Sequence, residues 1–435
     1  MTAFAPLARR TLLTGALASA GALLAVAGSD VRPLSRSPRS GWVTSWACAH
    51  TRPTANDPLV VNGMTDRTVR HVLRLGVGTV HGRGEGRGRL RVRLAGTFCS
   101  APVLVGAVTV ALRAPGLAGP GAGIAPGPPK AVTFGGSRRG LLAAGASLVS
   151  DPVDIAVPDG GEIVVSIHLP GPTGPLSFHR NTHATGYVGN GDLTTDSGGG
   201  FAAASGGEMT RSAVLLSGID VERQGVFGVA VLGDSITEGV GTPDDANERL
   251  TDHLDRHLAA TGGAVAVANL GISGNRILLD DERFGPSGQA RLDRDALALP
   301  GTNSLLVILG INDLQQPPSQ TDPDVILAGY RQLVLRAHDQ GLRVVGTTIT
   351  PFGGWTRWTP ALEAERLHLN KALLGAARKG GPAAFDEVVD VAAVLADPAD
   401  RARLRADYDS GDGLHPSAAG AKAMATTISR RSLLG

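Results

Sequence analysis

The sequence predicts two successive folds. Residues 41–223 read as an all-β domain of the sandwich or jelly-roll kind, and residues 224–435 as a three-layer α/β/α domain with a mostly parallel sheet. Three observations predict this. Up to about residue 222 the apolar runs are short, often alternating, and broken by Gly and Pro, as strands joined by tight turns require. Beyond residue 224, near-continuous apolar runs alternate with stretches of helical period, the pattern of strands buried beneath helices on both faces. The chain has 435 residues, more than one hydrophobic core usually covers.

The first 28 residues carry a targeting pattern. Arg9 and Arg10 precede an uncharged run rich in Ala and Leu, and Ala25-Val26-Ala27 has the small-x-small form of a cleavage site. Arg9-Arg10-Thr11-Leu12-Leu13 is similar to a twin-arginine export signal. Residues 1–28 are therefore read as an export signal and the mature protein is expected outside the cell. The same run is at the short limit for a membrane anchor, which is the other reading of it. No later segment is apolar enough to span a bilayer. Residues 29–40 (SDVRPLSRSPRS) read as a linker.

Charge narrows the function classes. The chain has 41 basic and 39 acidic residues, so without Arg9 and Arg10 the charges balance. A nucleic-acid binder should show a basic excess, and none is expected here. Nearly all the cations are Arg, with Lys only at Lys130, Lys371, Lys379 and Lys422. In a chain this rich in Ala and Gly, that bias reads as codon usage rather than guanidinium chemistry.

In the β-rich half, strands are expected at 90–94 (LRVRL), 103–112 (VLVGAVTVAL), 153–157 (VDIAV) and 163–169 (IVVSIHL), with Gly-rich loops at 114–130 and 189–207. Cys48 and Cys99 both fall on expected strands of this half. In an exported protein they could form a disulfide, and two buried thiols is the alternative. In the second half the expected strands are 227–232 (FGVAVL), 264–270, 304–309, 343–349 and 388–391. Helices are expected at 247–260, 289–299, 324–340, 361–379 and 417–430. Ligands of such open parallel sheets bind beyond the C-terminal strand ends, where the winding direction switches.

The segments that carry chemistry fall at those ends. Gly233-Asp234-Ser235-Ile236-Thr237-Glu238-Gly239 follows the first buried strand and opens a helix. A serine there can be a nucleophile, and the turn alone could equally bind an anion. Asp412-Gly413-Leu414-His415-Pro416 lies in the last loop, with Pro416 suited to start a helix. A serine needs a base to take its proton, and the base needs an orienting partner; an Asp three residues before a His can supply both from one turn. Alone, this pattern is also a common hydrogen-bonded turn. Asn269-Leu270-Gly271-Ile272-Ser273-Gly274-Asn275-Arg276 follows the second strand, and Gly310-Ile311-Asn312-Asp313 the third. Gly271 would let its N–H approach a substrate closely. Asn312 offers an uncharged amide donor, and such donors aimed at one point form an oxyanion hole.

In combination and in this order, the four segments resemble blocks I, II, III and V of the SGNH hydrolases, also called the GDSL esterase/lipase family. The resemblance covers roughly residues 225–435. It implies a flavodoxin-like fold, with Ser235 as nucleophile, His415 as general base and Asp412 as its orienting carboxylate. It also implies oxyanion donors at the N–H of Ser235, the N–H of Gly271 and the side chain of Asn312. Ile236 stands where the name-giving motif has Leu, a change between apolar packing residues. The implied reaction is acyl-ester hydrolysis on a carbohydrate or lipid substrate, with no metal or organic cofactor; an acyltransferase using the same triad and a glycan-binding protein with an inactive esterase domain are the alternative readings. Trp42-Val43-Thr44-Ser45-Trp46 and Leu90-Arg91-Val92-Arg93-Leu94 are similar to the β-rich domain that precedes some secreted bacterial members.

Other signals point less far. His253 and His257, four apart on an expected helix, lie beside the buried stripe of Leu250, Leu254 and Leu258, so a surface helix is expected rather than a metal site. His179 and His183 fit either a structural role or a domain interface. Trp355 and Trp358 fit either packing or stacking on a substrate. The motifs of zinc proteases (HExxH), P-loop proteins (GxxxxGK[ST]) and α/β-hydrolases (GxSxG) are missing from the sequence.

Overall fold

The computed structural model describes residues 41–80, 88–116, 121–376 and 385–435. The expected export signal and linker over 1–40 lie outside the described residues. In the strand-rich half the longer strands are β1 (Trp42–Ala47), β2 (Arg67–Arg74), β3 (Arg89–Ala95), β4 (Ala107–Leu112), β5 (Glu162–Leu169), β6 (Gly186–Asn190) and β7 (Leu216–Glu222). They fall into two antiparallel sheets. One runs β1-β7-β3, and the other places β6, β2, β5 and β4 side by side. Alternate side chains of a strand share a face. Accordingly Leu90, Val92 and Leu94 of β3 join Val69 and Leu73 of β2 and Ile163, Val165 and Ile167 of β5 in one buried cluster.

Three expectations need correcting in this half. The run at 103–112 is two strands, Val103–Val105 and β4, because the first pairs with Gly140–Leu142 and the second with β5. The run at 153–157 pairs only over Val153–Asp154. Strand β2 has no clear apolar signal, because Arg70 sits in its middle. That guanidinium is fully buried and donates to Ser166 Oγ at 2.9 Å and to the carbonyls of Ala122, Leu193 and Asp196 at 2.7, 3.0 and 2.8 Å. Loop carbonyls thus satisfy a charge that would otherwise be costly to bury. Cys48 and Cys99 are both buried free thiols rather than a disulfide. The Cys48 thiol donates to Leu216 O, and Cys99 Sγ accepts from the N–H of Ser177, so each has its own partner.

The second half is built on five parallel strands: β8 (Phe227–Gly233), β9 (Val265–Gly271), β10 (Thr302–Ile308), β11 (Arg343–Thr347) and β12 (Glu387–Val389). Their order is β9-β8-β10-β11-β12, the flavodoxin-like 2-1-3-4-5 arrangement whose winding reverses at the first strand. Helices α1 (Leu250–Gly262), α2 (Gly288–Leu292), α3 (Pro323–Asp339), α4 (Pro360–Ala376) and α5 (Ala418–Thr427) accompany it. Both faces of the sheet are apolar. Ala230 and Leu232 of β8 pack into one core with Tyr330 and Leu333 of α3. Val229 and Val231 pack into the other with Leu254 and Leu258 of α1 and Met424 of α5.

Registers set the height of the functional rim. Gly233 pairs with Gly271 on one side and with Ile308 on the other, so β8, β9 and β10 end level. The chains leaving them therefore emerge together. The expected helix at 289–299 is shorter, with α2 passing into a π turn over Asp293–Leu297. The expected helix at 417–430 is two, since Ser429 caps a new helix, Arg430–Leu434.

Candidate active site

Ser235 opens a one-turn helix, Ser235–Glu238, directly after β8. Asp234 caps it by accepting the N–H of Ile236 at 3.0 Å. Burial pushes the Asp234 carboxyl up to about 7, against the pull of that N–H. The loop that leads into α5 brings His415 onto Ser235. His415 Nε2 lies 2.9 Å from Ser235 Oγ, and His415 Nδ1 lies 2.6 Å from Asp412 Oδ2. The other carboxylate oxygen of Asp412 accepts the N–H groups of Leu414 and His415 at 2.9 and 2.8 Å. Burial raises the Asp412 pKa, but the hydrogen bonds from His415 and these N–H groups outweigh it and hold the carboxyl below the usual range. An ionised carboxylate can only accept, so Nδ1 carries the proton and Nε2 is left to accept from the Ser235 hydroxyl.

The donors around this relay are placed differently from expectation. Asn312 begins a helix (Ile311–Gln315) after β10, and its Nδ2 donates one hydrogen to Asn275 O at 3.2 Å. Its Oδ1 accepts from Gln315 Nε2 at 2.8 Å, which fixes the amide's orientation and leaves the second Nδ2 hydrogen without a partner among the described residues. The N–H of Gly271, by contrast, is used inside the fold: it donates to Asn269 Oδ1 at 3.0 Å. A Cβ on Gly271 would sit on the backbone of Glu238, so this glycine serves close packing against the Ser235 helix. Three residues on, Gly274 takes a φ of +76°, and its N–H donates to nothing among the described residues. Its carbonyl accepts from Gln316 Nε2 at 2.9 Å, and the next carbonyl is the one Asn312 binds. The glycine signal was present in the sequence, but the strand had to end before it was clear which glycine lies in the loop.

Several residues that hold this rim were not among the expected catalytic and oxyanion residues. Arg291 of α2 is fully buried and donates to Gly233 O at 2.8 Å, Leu270 O at 2.7 Å and Asn275 Oδ1 at 3.0 Å. One guanidinium thus ties together the ends of β8 and β9 and the loop beyond. Burial lowers its pKa to about 10. Asp313 accepts the N–H groups of Ile277 and Leu278, and burial pushes its carboxyl up to about 6 despite them. Gln315 receives the indole N–H of Trp355 at 3.1 Å.

The remaining candidates also find places. His179 Nδ1 and Nε2 each lie 2.9 Å from a carbonyl, those of Ala49 and Asn181, and His183 Nδ1 lies 3.1 Å from Asp244 Oδ1. The loop that carries them abuts the α/β/α half, since Thr182 O also accepts from Arg249 at 2.7 Å. His253 lies against Arg256 on α1. Among the described residues no group of three or more His, Cys, Asp or Glu is arranged to hold a metal. No described helix is long and apolar enough to cross a membrane.

The class that this fold and site define is the carboxylic ester hydrolases. Residues 231–423 match the model of the GDSL-like lipase/acylhydrolase family, and this part of the chain is a domain of that family. A comparison with curated proteins found no match. Among solved structures the chain is similar to a GDSL-like lipase from Bacteroides thetaiotaomicron, at 17% identity over 47% of this chain and 87% of that one, with a TM-score of 0.37. It is also similar to the lipase/acylhydrolase from Enterococcus faecalis, at 22% identity over 47% and 95%, with a TM-score of 0.36. A third is a carbohydrate acetylesterase from Sinorhizobium meliloti, at 20% identity over 46% and 96%, with a TM-score of 0.35.

Proposed function

We propose that this protein is an exported serine esterase that removes short acyl groups, acetyl first among them, from carbohydrate. The observation that carries the reading is the relay Ser235–His415–Asp412, with spacings of 2.9 and 2.6 Å. In the first step His415 Nε2 takes the Ser235 proton as Oγ attacks the ester carbonyl. Asp412 steadies the imidazolium, which then protonates the leaving alcohol. In the second step His415 activates water, the acyl–serine bond breaks, and the proton returns to Ser235. The negative oxygen of each tetrahedral intermediate is taken by the N–H of Ser235, the N–H of Gly274 and the free Nδ2 hydrogen of Asn312. Gly274 replaces Gly271 in this role because its N–H is not otherwise engaged.

Export rests on the Arg9-Arg10 leader, and the carbohydrate reading on that leader together with the strand-rich half, an analogy at the level of architecture. We read that half, residues 41–223, as a separate β-sandwich domain, in keeping with two antiparallel sheets that contribute to one core. The test is hydrolysis of 4-nitrophenyl acetate by the native protein and by Ser235→Ala. The expected fall in kcat/KM is on the order of 10⁴-fold or more. Equal rates in the two proteins would sink the esterase reading.

A further inference from the structure

A cleft of about 340 Å³ lies where the loop bearing His179 meets the rim of the parallel sheet. It sits at the low end of small-molecule sites, which run roughly 300–1,000 Å³. Two of its lining residues lie on the segments that carry the candidate active site. Glu238 ends the helix that Ser235 begins, and Ser273 precedes Gly274; both line the cleft. The facing wall comes from the strand-rich half, with Asn181, Arg180 and Arg211.

The cations in this cleft are already matched. Arg180 makes a paired contact with Asp57, at 2.8 Å from each nitrogen, and Arg211 lies 2.7 Å from Asp244. Glu238 accepts the Ser273 hydroxyl and lies 3.5 Å from His179 Nε2. An anionic ligand would find no unpaired cation among the described residues here, and an acyl chain would meet one apolar side chain, Ile272, among those that line the cleft. Hydrogen-bonding capacity remains. The Asn181 side-chain oxygen accepts the N–H of His183 at 3.0 Å, while its NH₂ donates to nothing among the described residues. A neutral donor beside paired cations suits a ligand that is itself neutral and rich in hydroxyls.

We propose that this cleft is the subsite for the alcohol half of the ester and that it takes a single neutral sugar ring, with the Asn181 NH₂ donating to a ring hydroxyl. The inference rests on the esterase reading and deepens it. The strand-rich half then selects the substrate whose acyl group the α/β/α half removes.

The test uses the full chain with two substrates, an acetylated methyl glycoside and 4-nitrophenyl acetate, whose leaving group has no hydroxyls to bind. The readout is the ratio of kcat/KM for the sugar ester to that for the aryl ester. Asn181→Asp keeps the acceptor that His183 needs and removes the donor; Asn181→Ala removes both. A fall in the ratio of at least about fivefold in Asn181→Asp, carried by KM, supports the subsite. A smaller fall overturns it, as does a native protein that cleaves the aryl ester and leaves the acetylated glycoside intact. Should Asn181→Asp not fold, the same threshold is applied to the inhibition constant of the unacetylated methyl glycoside, native protein against Asn181→Ala. Loss of the esterase reading itself would show separately, as aryl-ester cleavage indifferent to Ser235→Ala.

Discussion

The indole of Trp355 meets the imidazole of His415 edge to face, with ring centroids 6.3 Å apart and planes at 79°. The same indole donates its N–H to Gln315 Oε1 at 3.1 Å, and Gln315 Nε2 donates to Asn312 Oδ1 at 2.8 Å. An indole N–H can only donate, so it decides which end of the Gln315 amide faces it. That in turn decides which end of Asn312 is presented to substrate. One tryptophan therefore touches the proposed base and orients a proposed oxyanion donor. Gln315→Leu should lower kcat for 4-nitrophenyl acetate by about 10- to 100-fold, since an oxyanion donor is worth about 3–4 kcal/mol when correctly held. Trp355→Phe keeps an aromatic ring but loses the N–H and one of the two fused rings, so a fall of about 3- to 10-fold is expected. In both variants KM should hardly move, and steady-state kinetics in which KM alone changed would refute the relay.

Asp412 holds the imidazole of His415 by one oxygen and its own loop by the other. In Asp412→Asn the side chain can donate as well as accept, and a histidine of the wrong tautomer becomes competitive. The expected loss in kcat is on the order of 10³- to 10⁴-fold at neutral pH. Circular dichroism should remain native. A loss below tenfold would show that Asp412 is not needed to orient the base.

Glu238 predicts a pH dependence of stability. Burial pushes its carboxyl up to about 7, with the Ser273 hydrogen bond pulling the other way. The native state therefore favours the protonated form more than the unfolded chain does, where a glutamate titrates near ~4.3. Its contribution is fully present below that value and is lost as pH rises from there through about 7. Glu238→Gln has no such proton to lose. The stability of Glu238→Gln relative to the native protein should rise across that window by up to about 3 kcal/mol and stay level above it. Thermal unfolding at several pH values checks this, and a pH-independent difference would contradict it.

Arg291 ties the ends of two neighbouring strands, β8 and β9, to the loop beyond them. Arg291→Met fits the apolar part of the side chain but takes the guanidinium hydrogen bonds away from Gly233 O, Leu270 O and Asn275 Oδ1. Stability should fall by about 3–5 kcal/mol, the range seen when one member of a buried charged network is removed. Urea unfolding measures it. Activity in the folded fraction should drop as well, because the same guanidinium holds the loop that carries Gly274.

Much of this protein can be read from its residues alone. The alternation of apolar runs with helical stretches beyond residue 224 announces the parallel sheet, because strands covered on both faces have no polar side to show. Ser235, Asp412, His415 and Asn312 stand out because their chemistry is local: each sits in a short turn whose form follows from the nearby Gly, Pro and Asp residues. Tertiary structure decided what depends on partners distant in the chain. It left the Gly271 N–H with Asn269 and freed that of Gly274, since the point at which β9 ends depends on its pairing with β8. It kept Cys48 and Cys99 apart, each beside its own backbone partner. It buried Arg70 and Arg291, which a sequence presents as ordinary surface charges, because only the folded chain brings enough carbonyls to one point to satisfy a guanidinium away from water.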